Sequence, residues 1–139
     1  MDYSTFNINN FFIKKDSTLP LLKYPLTQHI MEQYDITSDM LENVAVTFSM
    51  IDADTGLYRV ANAAGSLVVN NDRAEYPDEV KYTLTFKFKL HQTRKAGRYQ
   101  AEFVVDFLDS EIGCGKIKLP IEGYLNVIIS DSIGKTTVV

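Results

Sequence analysis

Asp52-Ala53-Asp54-Thr55-Gly56 sets two carboxylates and a glycine close together, as at the start of a calcium loop. A helix-flanked calcium loop adds a third oxygen ligand and a closing glutamate at fixed offsets. Tyr58 and Asn62 stand near those offsets instead. The segment therefore reads as a strand-to-strand turn whose aspartates bond to nearby backbone N–H groups. Gly134-Lys135-Thr136 matches the end of a phosphate loop, but Ile129 stands where the upstream glycine belongs. A phosphate loop also opens a helix, and the three residues after Thr136 are too few to form one.

Nucleophilic chemistry needs a base beside a nucleophile, with a third group to orient it. His29 and His91 are the only histidines, and Cys114 is the only cysteine, set between Gly113 and Gly115. These three residues are also too few for a structural zinc site, which takes four such ligands. Asp106, Asp109 and Glu111 are spaced for acid–base work, yet they fall on the outer face of a strand and in a turn, where solvated carboxylates belong. Arg94, Lys95 and Arg98 cluster in residues 91–98 (HQTRKAGR) and suit either a partner's acidic patch or plain solvation. No catalytic residue, cofactor site or metal site is assigned, and the chain is not expected to be an enzyme.

The elements that position these residues are strands. In residues 82–90, Tyr82, Leu84, Phe86, Phe88 and Leu90 alternate with Thr83, Thr85, Lys87 and Lys89. This predicts a strand with one buried face and one wet face. Residues 99–107 repeat the pattern, with Tyr99, Ala101, Phe103, Val105 and Phe107 on one side. Residues 44–51 form a third strand, with Val44, Val46, Phe48 and Met50 inward. Residues 124–130 form a fourth, with Leu125, Val127 and Ile129 inward. Shorter strands are expected at 11–15, 21–26, 57–61, 67–69 and 116–121. Pro20 and Pro25 suit an edge strand or one that changes sheets. Helix is expected only within 27–41. Many short strands and little helix predict an all-β, immunoglobulin-like antiparallel β-sandwich.

The formal charge of −4 provides no field to gather phosphate backbones, so nucleic acid is not an expected partner. No run approaches the roughly 18 apolar residues that would cross a bilayer as a helix, so membrane insertion is not expected either. A soluble domain folded in a reducing cytoplasm is the expectation. Its divisions are an N-terminal arm at 1–13, a sandwich at 14–131 and a tail at 132–139. In the arm, Tyr3, Phe6, Phe11 and Phe12 are the expected partner contacts, with strand addition as their mode. Arg94 and Arg98 are a second expected contact.

The order of elements resembles the immunoglobulin-like N-terminal domain of phage baseplate upper proteins. Asp16-Ser17-Thr18-Leu19-Pro20-Leu21-Leu22 is a polar turn entering an apolar strand, and Asp35-Ile36-Thr37 precedes the strand from Val44 to Met50 and its acidic turn. Ala96-Gly97-Arg98-Tyr99-Gln100-Ala101-Glu102-Phe103 is similar to that family's glycine–tyrosine strand, and residues 123–129 close the domain. The resemblance implies a structural virion component of a tailed phage, assembled in the host cytoplasm. Such a protein would be an adaptor at a tail, baseplate, neck or capsid surface, held in a homo-oligomeric or symmetric assembly with other virion proteins. The alternative is a module for carbohydrate or a host surface. The chain has no tryptophan, so Tyr58, Tyr76 and Tyr124 would have to stack on the sugar.

Overall fold

The long alternating run around Phe103 forms the central strand of a two-sheet sandwich. The structure, a computed structural model, describes residues 10–70, 80–109 and 115–133. Its strands are β1 (Asn10–Lys14), β2 (Leu22–Leu26), β3 (Val44–Asp52), β4 (Tyr58–Ala64), β5 (Ser66–Val69), β6 (Tyr82–Phe86), β7 (Gly97–Phe107), β8 (Gly115–Leu119) and β9 (Leu125–Ser130). One short helix, α1 (Gln28–Gln33), follows β2, with the Thr27 hydroxyl capping it by accepting from the Ile30 N–H. A 3-10 turn at Met40–Glu42 leads into β3.

The larger sheet is six-stranded and runs β1-β9-β7-β3-β4, with β8 also pairing β7. The smaller sheet runs β2-β6-β5. β8 and β9 lie on one edge of β7: Leu119 is opposite Phe103, and Leu125 is opposite Ala101. Together they act as one interrupted strand, and the residues between them loop out of the sheet. From β2 onward, successive hairpins alternate between the sheets, as in an immunoglobulin-like sandwich. A tyrosine corner supports the same assignment. At the start of β7 the Tyr99 hydroxyl donates to the Lys95 carbonyl at 2.7 Å, closing the corner between β6 and β7.

Phe48, Phe86, Phe88 and Phe103 form the centre of the core. Phe48 stacks on Phe86 at 4.2 Å and meets the edge of Phe88. Each such pair adds about 0.5–1.5 kcal/mol beyond the area it buries. The inward residues expected on β3, β7 and β9 are buried, apart from half-buried Val44. Gly65 is where the chain passes from one sheet to the other. A Cβ there would lie 3.1 Å from both the Thr85 carbonyl oxygen and a Val46 methyl, so a side chain would need these neighbours to give by a few tenths of an ångström.

Three expectations are corrected. β6 ends at Phe86, and both of its faces are buried, including Thr83 and Thr85 on the face expected to be wet. Leu90 is exposed and opens a 3-10 turn at Leu90–Thr93. The sandwich is also not purely antiparallel, since β1 runs parallel to β9. Finally, β1 begins at Asn10, so an arm ending at residue 13 would cut through a strand whose Ile13 is buried.

Candidate interaction surface

On the outer face of the larger sheet, alternation turns the polar partners of the core residues away from the core, with Ser49 itself buried there. Ser49 of β3 sits opposite Glu102 of β7, and Asp106 sits opposite Lys116 of β8. Lys116 and Asp106 form an exposed ion pair at 3.7 Å, which contributes ~1 kcal/mol or less. On β4 an extra residue bulges opposite Ser49, because Phe48 pairs with Ala63 while Met50 pairs with Val60. The bulge carries Asn62 at φ 49° and is held by the Ser49 hydroxyl, which accepts from the Asn62 N–H at 2.9 Å. A cleft of about 370 Å³ lies on this face, lined by Ser49, Tyr58, Asn62, Glu102 and Lys118 among others. A second, of about 520 Å³, opens beside the loop between β8 and β9, against Ile121 and Tyr124.

Exposed apolar and aromatic side chains also stand on the larger sheet and its β8–β9 loop. Phe12 of β1 points outward beside Ile128, Tyr58 stands on β4, and Ile121 and Tyr124 stand on the loop. Of Phe11 and Phe12, both expected to meet a partner, Phe12 is exposed. Phe11 is not: it turns inward and stacks on Phe88 at 6.0 Å, because neighbours on a strand face opposite sides. Tyr3, Phe6 and Tyr76 lie outside the described residues, as do Glu111, Cys114 and the residues from Gly134 onward.

The basic segment is a built corner. Thr93, completely buried, donates its hydroxyl to the Ser17 carbonyl at 2.8 Å and accepts from the Ser17 N–H at 3.1 Å. Its own carbonyl accepts from Asp16 N–H at 3.0 Å. Gln92 closes the 3-10 turn by accepting from Lys89 N–H. Arg59 reaches over from β4 and donates to the carbonyls of His91 and Gln92. Arg94, Lys95 and Arg98 are exposed on this frame, so Arg94 and Arg98 are accessible to a partner. Sequence reasoning missed Arg59 and Thr93. The alternating pattern marked Tyr99 as inward but said nothing of its hydroxyl.

The acidic turn has the local bonding expected of it. Asp52 accepts from the N–H groups of Asp54 and Thr55 at 2.8 and 3.2 Å, and these bonds hold its carboxyl below the usual aspartate range. Gly56 completes the turn at φ +74°, where a side chain would be strained. His29 lies on α1 and His91 on the corner turn, at opposite ends of the sandwich. Among the described residues, no three His, Cys, Asp or Glu side chains group as metal ligands, and no helix is long and apolar enough to cross a membrane. No family model matches the chain, and no curated protein or solved structure matches it.

Proposed function

We propose that the chain is a non-catalytic adaptor, a structural component of a tailed-phage virion that acts through protein–protein contacts. The observation that carries this reading is the outer face of the larger sheet. Exposed Ile121, Tyr124 and Tyr58 border clefts lined by charged and amide side chains, and exposed Phe12 adds an aromatic ring on β1. Aromatic groups on a rigid strand framework suit a broad protein surface, since they offer large contact area at little conformational cost. The virion assignment is supported by the resemblance in element order, and an immunoglobulin-like sandwich is the fold that resemblance implies. Quantitative mass spectrometry of phage particles released by cells encoding the chain tests the assignment. The expected result is the chain at a fixed copy number relative to tail or capsid proteins, and its absence from purified particles overturns the proposal.

A second reading is favoured by one feature. The outer-face cleft places exposed Tyr58 beside Asn62, Glu102 and Lys118, an aromatic ring with hydrogen-bonding groups of the kind that hold sugars. Glycan-array binding by the intact chain, lost on Tyr58→Ala, would favour this carbohydrate-binding reading over the adaptor.

A further inference from the structure

Every sandwich has sheet edges whose backbone groups can pair with another chain, and natural proteins guard them with lysines, prolines and bulges. Four edge strands carry such guards. β2 has exposed Lys23 and Pro25, β8 has exposed Lys116 and Lys118, β1 ends in exposed Lys14, and β4 carries Arg59 and the Asn62 bulge. β5, with the sequence Ser66-Leu67-Val68-Val69, has no charge, no proline and no bulge. Among the described residues it ends its sheet.

We infer that β5 is the seam at which two copies of this chain pair, antiparallel, across a two-fold axis. The hydrogen-bond pattern identifies the available groups. Asn70 N–H donates to the Lys81 carbonyl at 2.7 Å, in line with the Val69–Tyr82 register, so even-numbered residues face β6. Gly65 N–H points the other way, to the Val46 carbonyl. The backbone groups of Leu67 and Val69 therefore turn away from β6. A two-fold centred on Val68 sets Leu67 of each copy opposite Val69 of the other, and each such pair exchanges both ladder bonds. Val68 then meets Val68 of the second copy at the closer, non-hydrogen-bonded spacing of about 4.5 Å between Cα atoms.

Two observations favour a second copy as the occupant. A strand paired with itself sets like residues near one another, and like charges directly opposite are destabilising. β5 brings no charge to that position, whereas β2 and β8 would bring lysines together. Val69 also sits opposite inward-facing Tyr82 yet is 45% exposed, and Leu67 of a second copy would stand beside it. A strand this short makes a small, weak contact, suited to an assembly in which each contact is repeated. The inference thus rests on the assembly role proposed above.

Cysteine trapping of the full-length chain tests it, in a Cys114→Ser background with oxidised glutathione as oxidant. Two Val68→Cys thiols form one interchain disulfide while the oxidant is reduced to two glutathione thiols. The spacing at Val68 lies within disulfide range. A covalent dimer should dominate for Val68→Cys and be largely absent for Val69→Cys, which faces Leu67 of the other copy. Equal trapping at both positions, or none at Val68→Cys, overturns the inference. Val68→Lys, with its circular dichroism spectrum unchanged, should abolish the concentration-dependent rise in mass seen by light scattering. Failure of these tests leaves the adaptor reading to be judged by particle composition.

Discussion

The two edges of the three-stranded sheet, β2 and β5, are finished in different ways. On β2 the inward residues Leu22, Tyr24 and Leu26 are buried, exposed Lys23 and Pro25 interrupt the outer face, and α1 packs alongside. The turn leading into β2 is fastened to the corner by both bonds between Thr93 and Ser17. On β5 the inward Val69 is half open and the outward Val68 is uncharged. The difference teaches where the surface is available for assembly. Both strands end their sheet among the described residues, but an exposed lysine and proline guard β2 and no charge, proline or bulge guards β5.

Tyr24 offers the largest effect by which this contrast can be broken. Burial, and then the neighbouring Tyr34, push its hydroxyl up to about 12. An unfolded tyrosine ionises near ~10. The neutral ring therefore contributes its full stability below that pH, and the contribution is lost as pH rises from 10 through 12. Denaturant unfolding across that window should show the wild type losing about 2–3 kcal/mol more than Tyr24→Phe. Equal losses would mean that the β2 edge is open to water, and the contrast with β5 would fall.

Thr93→Val comes next. It keeps the side-chain shape but removes the donor and the acceptor that engage Ser17, leaving buried groups without partners. The expected cost is about 1–3 kcal/mol in denaturant unfolding. A cost near zero would show that the corner does not secure the approach to β2.

Asp52 should have a smaller effect, because it is remote from both edges and lies in an exposed turn. Its lowered pKa gives a contribution present above the ordinary aspartate range and lost as pH falls through the folded value. Thermal unfolding should show a small stabilisation of wild type over Asp52→Ala at neutral pH that shrinks in acid. A difference that grows in acid would contradict the assigned hydrogen bonds. Val68→Lys should change monomer stability least, within about 0.5 kcal/mol, as for other exposed substitutions. A larger loss would make Val68 part of the core and remove it from the seam.

Much of the fold was legible because period-two alternation reports burial directly. Phe48, Phe103 and Val127 face inward as their spacing predicts, and the strand positions follow with small shifts at their ends. The pattern failed where tertiary position overrode it. Thr83 and Thr85 are polar and occupy the predicted wet face, yet both are buried. Phe11 carries the same apolar signal as Phe12, and only the pairing of β1 with β9 decides which one faces the core. The surface was less legible still. Arg59 and the 91–98 corner are far apart in sequence and are joined by backbone carbonyls, which carry no sequence signature. The open edge of β5 becomes visible only once the guards on the other four edge strands can be compared.

The most direct test of assembly through this edge is light scattering coupled to size exclusion on the intact chain over a wide concentration range. The weight-average mass should climb from one copy of 15.8 kDa toward two as concentration rises. A mass of one copy at every concentration would contradict pairing through β5.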